Sequence, residues 1–314
     1  MSDKGSGPVR LAVVGAGRMG RTHLGVLDRC PSVTLTAVVD PVAEARQQAA
    51  PGVAGFAQLA DVIDAGVADA VLIAAPSGLH LGLVEEAAAA GLGVLCEKPC
   101  GLTPDDTRRA AEVAAASGVV LQVGYWRRFV PELQRLQAEI AAGELGEIQL
   151  VQAWQWDGEP PAAGFRASSG GILRDMGVHE FDQIRWLTGQ DISIVAALPS
   201  EVTSVPPVPG DPESIAVLGR LGGGGVAIAS LGRRYDRGDA CWAEVIGTER
   251  AERLPFMFGE DADEVFRSAL VAQIEAFAAS VRGAPQVGAT ALDAVAALAA
   301  ADDAAGLAHA HSGA

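Results

Sequence analysis

The sequence predicts an α/β protein in which an open, doubly wound parallel sheet precedes a second, α+β domain with a mostly antiparallel open sheet. Two patterns predict this fold class. In residues 1–124, short apolar runs alternate with helical patterns, as strands and crossover helices do in a parallel sheet. In residues 125–314, several predicted strands follow one another without a helix between them. We therefore predict two domains, 1–124 and 125–314.

The first predicted strand, Val9–Val14, is a continuous apolar run, as expected for a strand buried on both faces. It leads into the glycine-rich sequence Gly15-Ala16-Gly17-Arg18-Met19-Gly20, and a helical pattern then extends to Cys30. Such glycines allow a tight turn and a close approach to a pyrophosphate, and the helix N-terminus supplies amide donors. This context predicts a Rossmann fold with Gly15, Gly17, Arg18, Met19 and Gly20 at the cofactor.

The second predicted strand, Thr34–Val39, ends in Asp40, about 20 residues beyond the last glycine of the motif. An acid at this place accepts hydrogen bonds from the adenosine ribose and repels a 2′-phosphate, so NAD is predicted rather than NADP. Two alternatives remain: Asp40 caps the helix that follows Pro41, or Arg46 weakens the preference for NAD.

Further strands are predicted over Ala70–Ala75, Gly93–Glu97 and Val119–Val123. Ligands of an open α/β sheet bind at the carboxyl ends of its strands. The residues at two of these ends are therefore predicted to contact the cofactor, namely Pro76, Ser77, His80, Glu97, Lys98 and Pro99. A helix cap is the alternative for His80.

Lys98 also stands out by composition, because Lys4 and Lys98 are the only lysines among the 23 basic residues. Arginine does not replace a lysine that must be compact or must release a proton near neutral pH. Chance is the other explanation for the survival of one lysine in the body of the chain. We predict that Lys98 is catalytic and also contacts the substrate.

The second domain is predicted to begin with the cluster Tyr125-Trp126-Arg127-Arg128-Phe129, from which Trp126 and Arg127 are predicted substrate contacts. The helices are predicted over 131–142, 264–282 and 290–308, and the last of these is expected to pack back on the first domain. The strands are predicted over 148–156, 192–198, 214–220, 226–232 and 240–246. Gly222–Gly225 joins two strands with no helix after it, so a hairpin turn is predicted. A second subunit is a plausible cover for one face of this sheet.

A helix after the loop 157–171 carries Asp175 and His179 on one face, because the two residues are four positions apart. Oxidation of an alcohol needs a base for the hydroxyl proton, and histidine has a pKa suited to that task. Lys98 would stabilise the developing alkoxide, and Asp175 would orient the imidazole or bind a neighbouring hydroxyl. Alternatively His179 is structural, and Asp175 pairs with Arg174 or Arg185. No third ligand accompanies the pair, so no metal is predicted.

The formal net charge of −16 argues against a nucleic-acid ligand. The N-terminal residues lack the apolar segment of a signal peptide, and no apolar run reaches the length of a membrane span. Four cysteines without disulfide-framework spacing favour a cytoplasmic location.

The glycine motif, Glu97-Lys98-Pro99 and the segment from Gly170 to Asp182 together resemble the glucose–fructose oxidoreductase/inositol dehydrogenase/MocA family. The resemblance covers nearly the whole chain and is greatest to inositol 2-dehydrogenases. It implies NAD, a polyol or sugar substrate, a homodimer or homotetramer, and Lys98, Asp175 and His179 as the catalytic set. The loop Gly158-Glu159-Pro160-Pro161 departs from the polar residues of many inositol enzymes, which leaves aldoses and other cyclitols open.

Three functions follow from these residues. The first is a polyol or sugar dehydrogenase. The second is a glycosidase that uses NAD transiently, and the third is a regulator that binds a dinucleotide and sugar without turnover. The presence of Lys98, Asp175 and His179 argues against the regulator.

Overall fold

The computed structural model describes residues 7–47, 52–258 and 261–312. Lys4 lies outside these residues. The chain forms two compact units, each of which is described by itself below. The first unit comprises residues 1–126 and 267–295, and the second comprises residues 127–266 and 296–314.

In the described part of the first unit, seven strands form a sheet in the order β13-β6-β5-β4-β1-β2-β3. Every neighbouring pair is parallel except β13 and β6. The strands are β1 (Val9–Val14), β2 (Val33–Val39), β3 (Ala54–Phe56), β4 (Ala70–Ile73), β5 (Gly93–Cys96), β6 (Leu121–Val123) and β13 (Ala289–Thr290). The strand order reverses between β1 and β4, which creates the switch point where ligands of this fold bind.

Helices α1 to α5 of the first unit connect the parallel strands. They are α1 (Arg18–Leu24), α2 (Ala43–Arg46), α3 (Leu59–Ala65), α4 (His80–Ala89) and α5 (Pro104–Ser117). Thr103 and Asp106 form a reciprocal capping box before α5, and Pro104 occupies its first turn. The central strands β1, β4 and β5 are apolar and almost wholly buried, which explains their continuous apolar runs.

The predicted single boundary after residue 124 is corrected by residues 267–295, which belong to the first unit. Most of α9 (Ala262–Val281) lies there, and a Cβ on Gly93 of β5 would approach Val281 to 2.7 Å. The strand β13 extends the sheet at β6. The last helix, α10 (Ala291–Ser312), begins in the first unit and continues in the second, and its packing back on the first domain stays a prediction.

Six strands form the sheet in the described residues of the second unit, in the order β12-β11-β7-β10-β9-β8. Only β7 and β10 are parallel neighbours, so the sheet is mostly antiparallel, as predicted. The strands are β7 (Ile148–Trp156), β8 (Ile192–Pro199), β9 (Ser214–Leu221), β10 (Val226–Gly232), β11 (Ala240–Gly247) and β12 (Ala251–Phe258). The helices preceding α9 are α6 (Pro131–Ala141), α7 (Ala163–Ser168) and α8 (Val178–Thr188).

One face of the second sheet packs against α6 and α8. Residues alternate between buried and exposed along β9, as expected for a sheet with one covered face. The glycines 222–225 connect antiparallel β9 and β10, which confirms the predicted hairpin. In residues 7–47, 52–258 and 261–312, no helix is long and apolar enough to cross a membrane.

Two elements of the second unit were not predicted. The strand β12 contains Pro255, which interrupts a strand pattern, but β12 is an edge strand and needs fewer ladder hydrogen bonds. The segment 157–171, predicted as a loop, contains the short helix α7.

Candidate active site

The glycine-rich turn lies at the switch point of the first sheet. Gly15 has a φ of +92°, and a Cβ there would come within 2.6 Å of the Ala75 amide nitrogen after β4. A Cβ on Gly20 would overlap the Gly15 carbonyl oxygen, so this glycine lets α1 pack on the turn. A Cβ on Gly17 would meet no atom within 4 Å. The turn is therefore closed by packing at its ends and open at Gly17, which fits the approach of a dinucleotide pyrophosphate.

The other two residues of the glycine motif remain predicted cofactor contacts. Arg18 is exposed and Met19 is half-buried at the start of α1.

Asp40 is half-buried at the end of β2, and its two carboxylate oxygens hold the neighbouring main chain. Oδ2 accepts a hydrogen bond from the Ala16 amide at 2.9 Å, and Oδ1 accepts one from the Val42 amide at 2.9 Å. The arrangement links the acid directly to the glycine-rich turn. A carboxylate has about four acceptor positions, so it can still accept ribose hydroxyls.

Arg46 lies beside this acid. Its guanidinium donates to the carbonyl oxygens of Asp40 at 2.6 Å and Pro41 at 3.2 Å. The positive charge is therefore anchored by main-chain atoms next to Asp40.

His80 is buried at the start of α4, and its imidazole contacts the main chain on both sides. Nδ1 lies 2.7 Å from the Pro99 carbonyl oxygen, and Nε2 lies 2.8 Å from the Ala75 carbonyl oxygen. These contacts connect the segments that follow β4 and β5. Both ring nitrogens of His80 thus face protein carbonyls, and its contact with the cofactor stays a prediction. Pro76 and Ser77 lie in the segment between Ala75 and His80, at the carboxyl end of β4, and stay predicted contacts.

Glu97 directly follows β5, and its carboxylate is buried. Oε1 lies 2.7 Å from Nε2 of buried His23, and Oε2 accepts a hydrogen bond from the Lys98 amide at 3.2 Å. Burial by itself raises the pKa of Glu97, but the hydrogen bond and charge of His23, together with Lys98, hold that pKa below its usual value. The Glu97 side chain thus supports the Lys98 segment, and its contact with the cofactor stays a prediction.

Lys98 is half-buried directly after Glu97, and the Lys98–Pro99 peptide bond is cis. The sequence does not indicate Glu97 as the partner of His23. The signal for its role was weak, because 74 residues separate it from Glu97.

In the second unit, Asp175 and His179 flank the junction between a π-helical turn, Leu173–Gly177, and α8. The Asp175 carboxylate is partly exposed and accepts a hydrogen bond from Arg233 at 2.6 Å through Oδ2. The alternative that Asp175 pairs with Arg174 or Arg185 is wrong, because Arg174 pairs with Asp302 and Arg185 pairs with Asp191. His179 is buried.

Asp157 is a further candidate that the sequence reasoning missed. It follows β7 immediately, and its amide donates to the Gly232 carbonyl oxygen at the end of β10. Burial raises the pKa of Asp157 to about 6; Asp239 and Asp175 add to the rise, whereas the Gln155 hydrogen bond and Arg233 oppose it. An acid directly after an apolar strand was the available signal.

Arg127 has several protein partners in the structure, and its predicted contact with the substrate stays a prediction. Its guanidinium is buried and donates to Glu180 at 2.5 Å, to Gln183 at 3.1 Å and to Gln155 at 2.6 Å. These contacts attach the segment before α6 to α8 and β7. Trp126 belongs to the first unit and is buried; its predicted role as a substrate contact remains a prediction.

Within residues 7–47, 52–258 and 261–312, no group of three or more His, Cys, Asp or Glu side chains is arranged to hold a metal ion. The predicted site residues fall into two sets. The cofactor residues and Lys98 lie in the first unit, and Asp175 and His179 lie in the second.

Comparison with known proteins gives the family. Residues 9–125 match a family model described as an oxidoreductase family with an NAD-binding Rossmann fold, and residues 133–251 match the GFO/IDH/MocA C-terminal domain. The rhizopine catabolism protein MocA of Rhizobium meliloti is 48% identical over 290 residues, which are 92% of each chain. The chain belongs to the Gfo/Idh/MocA family.

Other Gfo/Idh/MocA relatives are dehydrogenases. The inositol 2-dehydrogenase of Rhizobium meliloti strain 1021 is 32% identical over 77% of this chain and 74% of its own. A solved scyllo-inositol dehydrogenase of Lactobacillus casei, with bound NAD(H) and scyllo-inositol, is 29% identical. Its TM-score is 0.87 over 97% of this chain and 98% of that one. These likenesses confirm the predicted family and fold class: the protein is an oxidoreductase of this family with an NAD-binding Rossmann fold.

Proposed function

We propose that the protein is a dehydrogenase that moves a hydride between a secondary alcohol of a cyclitol or sugar and NAD. The observation that carries the proposal is the partly exposed carboxylate of Asp175, held by buried Arg233 and placed four residues before His179. The relatives that are inositol 2-dehydrogenase and scyllo-inositol dehydrogenase support a cyclitol as the substrate class.

The proposed chemistry gives three residues separate roles. His179 accepts the proton of the substrate hydroxyl. Lys98 donates a hydrogen bond to the substrate oxygen and stabilises the negative charge that develops there. Asp175 orients the imidazole or accepts a hydrogen bond from a neighbouring hydroxyl. When bound, NAD supplies the hydride-accepting group.

Asp40 supports a preference for NAD over NADP. Its carboxylate is fixed by the Ala16 and Val42 amides at the end of β2, where the adenosine ribose binds in this fold. A fixed negative charge repels a 2′-phosphate. Arg46 is engaged by main-chain carbonyls and offsets this repulsion only in part.

Asp157 and Asp175 also suit a substrate with several hydroxyl groups. A carboxylate only accepts hydrogen bonds, so two of them recognise adjacent hydroxyls of a polyol ring. We include Asp157 and Trp126 among the proposed substrate contacts.

A spectrophotometric screen tests the function. The purified protein is incubated with NAD or NADP and with myo-inositol, scyllo-inositol, a rhizopine, glucose and galactose, and reduction is followed at the absorbance of NADH. We expect steady reduction of NAD with at least one cyclitol, and a lower kcat/KM with NADP. Release of free sugar from glycosides without net NADH would indicate the NAD-using glycosidase. Binding of NAD without turnover of any kind would indicate a regulator.

We also propose a homodimer or homotetramer, assembled through the face of the second sheet that lies opposite α6 and α8. This open face carries exposed or half-buried apolar residues, namely Leu150, Trp154, Trp156, Leu198, Leu218, Ile228, Trp242 and Ile246. Trp156, Trp154 and Trp242 form a stacked row with ring centroids 5.6 and 5.9 Å apart. Half-buried aromatic clusters of this kind are typical of interfaces. Arg253 over Trp242 and the nearby Glu244 give the face both signs of charge, which suits a second copy of the same surface.

A further inference from the structure

The side chain of Arg233 is fully buried, yet it bridges two carboxylates that are far from it in sequence. It follows β10, and its exposed fraction is 0%. One guanidinium nitrogen donates to Oδ2 of Asp175 at 2.6 Å, and the other donates to Oδ1 of Asp211 at 2.8 Å. Asp211 is also fully buried, whereas 15% of the Asp175 side chain is exposed. A buried guanidinium needs such neutralisation, because desolvation of an unpaired charge is costly.

Asp211 is shared with a second arginine. Its Oδ2 accepts from Nε of Arg166 at 2.6 Å, and Arg166 also donates to the main-chain oxygens of Asp211 at 3.1 Å and Pro206 at 3.0 Å. The charges therefore alternate along one line, Asp175–Arg233–Asp211–Arg166. Two cations balance two anions, and solvent reaches mainly the Asp175 end.

Three separate segments meet in this line. Arg166 belongs to α7 in the connection after β7, Asp211 belongs to the connection between β8 and β9, and Arg233 follows β10. Asp175 is thus held against a frame that is tied to the sheet. The buried pairs Arg127–Glu180 and Arg128–Asp182 differ, since both of their ends are buried.

We propose that Arg233 is the positioning residue of Asp175, and that Asp211 and Arg166 fix Arg233 in the orientation this requires. The inference rests on the proposed function, in which Asp175 acts on the substrate or on His179. The hydrogen bond from Arg233 to Oδ2 fixes the orientation of the Asp175 carboxylate. The guanidinium also favours the ionised carboxylate in an environment that excludes much of the water. A charged side chain prepared in this way needs no reorganisation when the substrate binds.

The charged groups around Arg233 determine how the proposal is tested by pH. Asp175 and Asp211 contact it directly, and Asp157 lies close enough to interact with both Arg233 and Asp175. The negative charge of Asp239 contributes to the raised pKa of Asp157. Oδ1 of Asp239 accepts a hydrogen bond from the Gly158 amide at 2.6 Å. Removal of the guanidinium leaves these acids without their shared cation, so a carboxylate required in ionised form is protonated at higher pH.

The test compares Arg233→Gln, Arg233→Lys and Asp175→Asn with the native protein on the best substrate of the NAD screen. Arg174→Gln is the matched control, because Arg174 precedes Asp175 in sequence but pairs with Asp302. We measure kcat, the KM values of polyol and NAD, the pH dependence of kcat and the melting temperature.

We expect Arg233→Gln to lower kcat by about 100-fold, the size of effect that misplacement of a reacting group produces. The KM for NAD stays within twofold, and the acidic limb of the pH profile moves to higher pH. Arg233→Lys keeps the positive charge but loses the planar, two-sided hydrogen bonding of the guanidinium. We therefore expect the acidic limb of its pH profile at the native pH and a kcat between those of the native protein and Arg233→Gln. Arg174→Gln retains native kcat and the native limb.

Two results separate the possible failures. Native kcat and a native acidic limb in folded Arg233→Gln, with Asp175→Asn inactive, would overturn the positioning role alone. An active Asp175→Asn would instead contradict the proposed function of Asp175. If Arg233→Gln does not fold, Arg233→Lys decides: a native kcat in that variant would overturn the inference, and a reduced kcat with native melting temperature supports it.

Discussion

Lys98 carries a compact charge at the carboxyl end of β5, and the residues around it explain why its position is defined. The Glu97 carboxylate binds His23 on one side and the Lys98 amide on the other. His80 contacts the Pro99 carbonyl from α4. The main chain on both sides of Lys98 is therefore anchored inside the first unit.

Replacement of Lys98 by alanine tests its proposed role. We expect Lys98→Ala to lower kcat by about 10²–10³-fold, because one donor to the developing negative charge is lost. The dissociation constant for NAD, measured by calorimetry, stays within a few-fold, since the glycine-rich turn and Asp40 are unchanged. We expect that Lys98→Arg does not restore turnover, because a planar guanidinium cannot place its charge where the compact ammonium group does. Turnover of Lys98→Ala at a tenth of the native rate or more would contradict the assignment.

Asp157 links function to stability. Burial raises its pKa in the folded protein to about 6 from an ordinary value of 3.8. The folded state thus binds this proton more tightly than the unfolded state does. The associated stability is present below pH 4 and is lost as the pH rises through 6.

We therefore expect Asp157→Asn to increase the free energy of unfolding at pH 8 by about 1–3 kcal/mol. The gain should vanish near pH 4, where the native acid is also neutral. Urea unfolding at the two pH values measures the difference, with exposed Glu159→Gln as the control that changes neither. The same variant should lower kcat/KM for the polyol, as is common when a destabilising residue serves a site. An equal effect on stability at both pH values would show that ionisation is not the cause.

At the scale of elements, α8 is held to the rest of the second unit by buried charge pairs as well as apolar contacts. Arg128 forms a two-bond pair with Asp182, at 3.0 and 2.6 Å, and both side chains are buried. Glu180, the residue directly after His179 in the same helix, pairs with Arg127. The helix that carries His179 is thus fixed by two buried charge pairs close to that residue.

Removal of one partner from a buried charge pair should lower the stability of the folded protein. We expect Arg128→Gln to lower the free energy of unfolding by about 3–5 kcal/mol, because Asp182 is left as a buried charge without its cation. Arg185→Gln is the matched control on the same helix: its partner Asp191 is mostly exposed, so the loss is about 0–1 kcal/mol. Chemical unfolding monitored by tryptophan fluorescence measures both. Similar losses in the two variants would contradict the account.

At the scale of the whole molecule, the open face of the second sheet predicts self-association. Leu218 lies on this face on β9, between β10 and the edge strand β8, and is 41% exposed. A carboxylate there would be desolvated without a partner in an assembled interface.

We expect Leu218→Asp to convert the homo-oligomer to a monomer, as measured by light scattering after size exclusion. Val202→Asp is the control, because Val202 is 84% exposed but lies in a connection outside the sheet. Native mass for the control and monomer mass for Leu218→Asp would support the proposed interface. A native protein that is already monomeric, or an unchanged mass for Leu218→Asp, would contradict it.

Much of the first unit could be predicted from the sequence because its signals are local. The run Val9–Val14, the glycine turn and Asp40 follow one another within about 30 residues. Each of them is weak evidence alone, but together in this order they indicate a dinucleotide-binding fold. The position of Lys98 at a strand end followed from the apolar strand before it. The packing of 267–295 on this unit could not be predicted, since an apolar helix pattern does not specify which sheet it covers.

In the candidate site, the sequence by itself determined the residue types that the chemistry needs: the glycines, Asp40, Lys98, and Asp175 with His179. Only the tertiary structure decided which side chains hold these residues and their neighbours in place. Arg233 lies 58 residues from Asp175, and His23 lies 74 residues from Glu97, so no spacing rule connects either pair. The physical reason is that folding brings residues that are distant in sequence into contact, and burial strengthens the electrostatic interaction between them. Both effects depend on the packing of the whole chain.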